Sequence, residues 1–384
     1  MYFQMLFRPI ALLAITAFAV ACASTGTNRN PLLIQHAQLL SGAAISTDGQ
    51  PLPPVQPVDL LAVSDEMRTF LDKHIAGRNG DARKTELIIK YLLDDGLELQ
   101  YSNLKTYTAA QTFQEREGNC LSFTNLFVAM AREVGVAAYF QEVRIPPIWT
   151  AEGDTFYYNL HINALVKSHK LEQVVDFDIQ EFDTGLSRRR ISDDTAAAQY
   201  YNNMGAYYLT KKDLLRAFVH ARKAIELRPN TGYFWTNLGT ILRHADKLLH
   251  AEQAYLVAIE LSQELSAMSN LARLYNTLGK PELASEYQAR VKAFRRKNPY
   301  FLYVRAEQAY ADKNYESTQK LLRAAIRRHP DEHQFYRLQG LTWLKLNQPK
   351  KAKKSFARAA KVATQSEHAT VYERKLKLLA QTNQ

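Results

Sequence analysis

The sequence predicts an α+β domain followed by an all-α repeat solenoid, and three observations carry that prediction. Between residues 59 and 190, helical hydrophobic spacing gives way to segments of strict alternation. From residue 191 onward, small residues recur at steps of 34, 33, 34 and 34 positions, at Gly205, Gly239, Ala272, Ala306 and Gly340. Residues 23–58 are rich in proline and small polar residues, and such composition fills no core.

At the N-terminus, Arg8 precedes an apolar run from Ile10 to Ala21 that is too short to span a bilayer and has the layout of a secretory signal over residues 1–21. The tetrad Ala19, Val20, Ala21, Cys22 resembles a bacterial lipobox, although Ala19 stands where Leu is usual. The resemblance implies cleavage before Cys22, lipidation of that cysteine and attachment to a membrane through the lipid anchor. Ala23 and Ser24, without an acidic residue after the cysteine, resemble sorting to the outer membrane on its periplasmic face. Residues 22–58, with Pro31, Pro51, Pro53, Pro54 and Pro57, are expected to form a flexible tether.

Within 59–190, helical spacing covers 59–76 and 81–95. A loop then runs from Tyr101 to a tight turn at Gly118 and Asn119, and Phe123, Leu126, Phe127, Met130 and Val134 mark a helix closed by Gly135. Strands are expected over 136–144, ended by Pro146 and Pro147, and over 160–167 and 171–177. A two-residue turn at Ser168 and His169 would set His161 directly opposite Asp176, and Asn159 opposite Asp178. Asp176 is thus the expected partner of His161, with Asp178 as the fallback if a bulge shifts the register. His169 has only a turn role.

The chain has two cysteines, and acylation of Cys22 leaves Cys120 without a disulfide partner in an exported protein. Cys120 opens the predicted helix, where free amides and the macrodipole favour an anionic sulfur. That placement fits a nucleophile. Gly118, Asn119 and Cys120 opening a helix, then His161 on a strand and Val174, Val175, Asp176 on the next, resemble the transglutaminase-like cysteine enzyme superfamily, a circularly rearranged relative of papain-type folds. The resemblance implies Cys120 as nucleophile, His161 as general base and acid, and Asp176 as orienting acid. Animal members place a tryptophan upstream of the cysteine to help stabilise the oxyanion, whereas the first tryptophan here is Trp149. The Cys120 amide offers one oxyanion donor, and Tyr101 or Gln114 is the candidate for the second. The NlpC/P60 type also orders Cys before His, but the His161 and Asp176 pairing suits the transglutaminase-like layout better.

An acyl-enzyme on such a cysteine is resolved by water, in a peptidase or amidase, or by an amine, in crosslinking. No feature marks an amine site, so hydrolysis of a protein or peptide substrate is the expectation, with acyl transfer to an amine or a non-catalytic repeat-based adaptor as the alternatives. The ten histidines are scattered and the two cysteines lie far apart, so no metal site and no cofactor are expected.

The repeats keep small and bulky positions in step. Tyr208, Ala217, Ala224 and Pro229 follow Gly205, and Trp235, Leu238, Ala251, Tyr255 and Ala258 surround Gly239. Leu271, Tyr275 and Ala284 accompany Ala272, Ala325 and Pro330 follow Ala306, and Tyr336, Trp343, Ala352, Phe356 and Ala359 surround Gly340. This pattern resembles the tetratricopeptide repeat, giving five units over 191–366 and a capping helix over 367–384. Residues 1–190 hold 17 basic against 21 acidic residues, a balance of −4, whereas residues 191–384 hold 32 against 17, a balance of +15. Export excludes nucleic acid as partner of the basic half, and leaves an acidic protein, an anionic envelope polymer or an anionic lipid surface.

Overall fold

The computed structural model describes residues 36–46, 51–93, 96–143, 149–152, 155–158, 161–167, 172–177 and 188–363. Cys22, Asp178, His169 and the expected capping helix lie outside the described residues.

A short helix, α1 (His36–Ser41), comes first. Next is α2 (Asp65–His74), which begins later than the spacing predicts because the Ser64 hydroxyl accepts the Met67 amide at 3.3 Å and caps the helix there. After α3 (Asp81–Leu93) come β1 (Gln100–Tyr101), α4 (Ala109–Glu115) and β2 (Glu117–Gly118). Sequence spacing makes this stretch a loop, but a capping box between Thr108 and Gln111 starts α4, and Arg116 in the left-handed conformation (φ 57°) stops it. Two turns of helix with few apolar residues give too little periodicity to detect.

The long helix α5 (Cys120–Glu133) is buried from Leu121 to Ala131, which makes it the central element of the domain. It packs on a four-stranded antiparallel sheet of β3 (Ala138–Val143), β6 (His161–Lys167), β7 (Glu172–Val175) and β8 (Arg188–Arg190), in the order β7-β6-β3-β8; a separate hairpin joins β4 (Trp149–Glu152) to β5 (Thr155–Tyr158). Hairpin β4–β5 and strand β8 are absent from the sequence expectation; three consecutive arginines carry no alternation, yet they bond along the free edge of β3.

The register of β6 with β7 also differs. Ala164 faces Val175 and Lys167 faces Glu172, so residue numbers across the pair sum to 339 rather than 337. The last pair leaves four residues between the strands instead of two.

Five helix pairs follow: α6 (Asp193–Thr210) with α7 (Leu214–Leu227), α8 (Gly232–His244) with α9 (Leu248–Ser262), α10 (Leu265–Thr277) with α11 (Pro281–Lys297), α12 (Pro299–Ala311) with α13 (Tyr315–Arg328), and α14 (His333–Lys345) with α15 (Pro349–Val362). The recurrent small residues lie where the first helix of a pair meets the second. A Cβ on Gly239 would stand 2.7 Å from the Tyr255 ring, and one on Gly340 would stand 2.8 Å from the Phe356 ring. The α+β domain followed by an all-α solenoid is therefore the architecture the sequence predicts.

The expected tether is in part docked. Leu39 and Ile45 are buried, the His36 ring lies 4.9 Å from that of Trp235, and the Tyr201 hydroxyl accepts the Val58 amide at 3.1 Å while donating to the Gln56 carbonyl at 3.2 Å. Composition pointed to a free linker because the segment builds no core of its own; its few apolar side chains use a surface supplied by the repeats. A second tie joins the domains. Arg132, in the last turn of α5, donates from Nε to the Ala138 carbonyl at 2.9 Å and grips both oxygens of Asp193, at 2.6 and 3.0 Å, in the first turn of α6.

Candidate functional site

Cys120 is the first residue of α5, and its position is fixed by the turn before it. A Cβ on Gly118 would fall 2.4 Å from the Ser122 Cβ, so only glycine fits there. Asn119 caps the helix: its Oδ1 accepts the Ser122 amide at 3.1 Å, and its Nδ2 donates to Thr106 Oγ1 at 2.7 Å. The Ser122 hydroxyl accepts the Tyr107 amide at 2.8 Å, the Asn125 amide group donates to the Tyr107 carbonyl at 2.9 Å, and Lys105 pairs with Glu117. The Gly-Asn-Cys turn is thus stitched to residues 105–107 on one side. It leaves the half-buried Cys120 thiol at the start of a helix whose first amides have no intrahelical acceptor.

His161 opens β6 and is 3% exposed. Its Nε2 stands 2.6 Å from Asp176 Oδ1, and the ring lies within hydrogen-bonding reach of Cys120. With Nε2 engaged by the carboxylate, Nδ1 is the nitrogen left to serve the sulfur. Thr124 aligns the two elements, donating to the Cys120 carbonyl at 2.8 Å and lying 3.4 Å from the Ile162 carbonyl.

The shifted register explains how Asp176 arrives. It places Asp176 beside Asn163 and diagonal to His161, and Asn163 Nδ2 donates to Asp176 Oδ2 at 2.8 Å. The diagonal is within reach of two polar side chains on one face. Phe177, the next residue, is buried edge-on against Phe123 at 6.0 Å and also packs on Phe127, both on α5, so the chain leaving β7 is pinned to the helix that carries Cys120.

Burial is the largest influence on His161 and disfavours imidazolium. The hydrogen bond to Asp176, then the bond and charge of Cys120, outweigh it and raise the pKa to about 10. The ring is thus held between Asp176 and Cys120, both of which favour its charged form.

Of the two candidate second oxyanion donors, Tyr101 pairs with Gly118 across β1 and β2, and its ring stands edge-on to Phe123 at 6.1 Å. Gln114 lies exposed on α4, and among the described residues no bond joins it to Cys120 or His161. Asn163 and Phe177 are the positioning residues that sequence reasoning missed. Asn163 was legible in part, since it shares a strand face with His161 two residues away.

A thiol, an imidazole and a carboxylate in line at the base of a helix, on an antiparallel sheet, define a cysteine-centred domain of papain-like layout. Residues 68–158 match the transglutaminase-like superfamily, and residues 198–231 and 265–298 match tetratricopeptide repeat families. The chain carries a transglutaminase-like core domain followed by tetratricopeptide repeats, which provide a surface for protein or peptide interaction. The first match contains Cys120 and ends before His161 and Asp176. No curated protein matches the chain.

Among solved structures the chain is similar to YrrB, described as a TPR protein with an unusual peptide-binding site, at 16% identity over 48% of this chain and 98% of that one (TM-score 0.24). It is also similar to the MamA protein, at 17% identity over 44% and 93% (TM-score 0.25). BtubC from P. vanneervenii aligns at 14% identity over 44% and 80% (TM-score 0.25).

Proposed function

We propose that this protein is an envelope-anchored thiol hydrolase, a peptidase or amidase, whose basic repeat domain recruits an acidic substrate or partner. One observation carries the proposal: the buried His161 ring is held by Asp176 at 2.6 Å within reach of Cys120. A protonated imidazole raised to about 10 is what a thiolate partner requires, and it can later serve as the acid that protonates a leaving amine.

In the proposed cycle, the Cys120 sulfur attacks the substrate carbonyl carbon, and the oxyanion is met by the Cys120 amide and, as a second donor, Tyr101. Cleavage of the C–N bond sends the amine away with the proton of His161, leaving a thioester. Neutral His161 then takes a proton from water as the oxygen attacks, and collapse returns the carboxylic acid and the thiolate–imidazolium pair. Asp176 orients the ring throughout. The lipobox-like tetrad ending in Cys22 supports attachment to the outer membrane on its periplasmic face.

The test is labelling by a thiol-directed acylating probe, followed by mass spectrometry of peptide substrates. Wild type should form a covalent adduct at Cys120 and release hydrolysed product, and Cys120→Ala should do neither. An intact protein with no adduct at Cys120 would leave the repeats as the working part and make the chain an adaptor. Accumulation of amine conjugates in place of hydrolysed product would assign acyl transfer instead.

A further inference from the structure

The second helices of the repeats share one position that packs on the small residue of the first helix, as Ala221 does on Gly205, Tyr255 on Gly239 and Phe356 on Gly340. Ala221 occupies it in the first unit, and Tyr255, Leu322 and Phe356 occupy it in the second, fourth and fifth, each fully buried. The third unit has Gln288 there, and Gln288 is exposed. A polar amide cannot close an apolar junction without leaving its own groups unsatisfied, so it turns outward. Helices α11 and α12, beside it, pack more sparsely than the helices at the other junctions.

A cavity of about 620 Å³ opens at this place between α10, α11 and α12. Its floor is apolar, with Ala272, Val291 and Leu302, and its walls carry Arg273, Lys292, Arg295, Arg296 and Arg305 with no acidic side chain among the lining residues. The volume is that of a small-ligand or side-chain pocket. Arg295 lies over the Phe301 ring at 5.6 Å, and burial holds its guanidinium below the usual range. Lys292, Arg296 and Arg305 give the opening a basic rim, and an anionic group seated there is attracted to all three.

We infer that this cavity binds an acidic peptide segment that carries an aliphatic or aromatic side chain between its carboxylates. The inference rests on the proposal that the repeats recruit an acidic partner, and adds the place and the chemistry. The cations take the carboxylates. The floor of Ala272, Val291 and Leu302 has a use only for a ligand with an apolar group, which favours a peptide over a polymer of sugars and phosphates.

The experiment measures anisotropy of a fluorescein-labelled hexapeptide, Glu-Asp-Leu-Phe-Asp-Glu, with the full chain bearing Cys120→Ala so that the probe survives. A second peptide of equal charge replaces Leu-Phe by Gly-Ser. Wild-type repeats should prefer the first peptide. The pair Arg295→Glu with Arg305→Glu should weaken it about tenfold or more. Gln288→Phe, which restores a filling aromatic, should weaken it comparably while leaving the thermal midpoint unchanged or raised. The pair Lys350→Glu with Lys354→Glu, an equal charge change on the exposed face of α15, should leave binding within twofold.

An equal loss from the α15 pair would show that the basic surface as a whole binds acidic partners, which overturns the cavity and spares the broader proposal. Equal affinity for the two peptides, preference for polyphosphate over the Leu-Phe peptide, or no binding at low salt would each overturn the inference; the last would remove the acidic-partner proposal with it.

Discussion

Asn163 holds one oxygen of the Asp176 carboxylate at 2.8 Å while His161 takes the other at 2.6 Å. A carboxylate bound at both oxygens cannot rotate away from the imidazole. The position of the His161 ring relative to Cys120 is thus set by Asp176, by Asn163 on β6 and by Phe177 anchored against α5, rather than by the hairpin register alone.

Replacing either support should separate orientation from folding. Asp176→Asn should lower turnover by about 10³-fold or more, since the imidazole loses its orienting acceptor. Asn163→Ala should lower it less, about tenfold, with substrate affinity little changed and the circular dichroism of the fold retained. Hydrolysis of a chromogenic peptide checks both, and Asp178→Asn should fall within twofold of wild type.

The protonation of His161 is measurable by NMR in histidine-labelled protein. Its pKa is raised to about 10 from 6.5, so the ring should stay protonated through neutral pH and lose its proton only as pH climbs through about 10. Cys120→Ala removes one group that raises the His161 pKa and should bring the titration down. Adding Asp176→Asn leaves burial, the largest influence, unopposed, and should carry it below 6.5. A wild-type ring that titrates near 6.5 would refute the charge pair.

The repeat packing predicts a stability defect at one methyl group. Gly239→Ala forces a Cβ to within 2.7 Å of the buried Tyr255 ring, and overpacking of this kind costs about 1–3 kcal/mol. Thermal unfolding should show a lower midpoint, with relief when Tyr255→Leu is added.

If Cys22 is acylated, the protein should sediment with membranes and become soluble on Cys22→Ala. Wild-type protein recovered wholly in the soluble periplasm would refute the anchor.

The parts of this fold that announce themselves in sequence are those repeated or strongly periodic. Five units at a 34-residue step and the buried helix from Cys120 both qualify, because many side chains agree on one answer. What escaped detection depends on distant partners. Helix α4 rests on a cap, β8 on the open edge of β3, α1 on Trp235, and the stretch from Gln56 to Val58 on Tyr201, the last two partners more than a hundred residues away. Asp176 has the neighbour the alternation predicts, through a register two residues away from the expected one. Its partnership with His161 survives because β-strands alternate with period two, so a shift of two keeps the same face.

Helix α5 begins at Cys120 and, fourteen residues later, ends where Arg132 clasps the first turn of the solenoid. At 1.5 Å per residue that is a stiff strut about 20 Å long, with the Cys120 sulfur at one end and the repeat scaffold bolted to the other. The first turn of the solenoid and the Cys120 turn thus sit at the two ends of one unbroken helix.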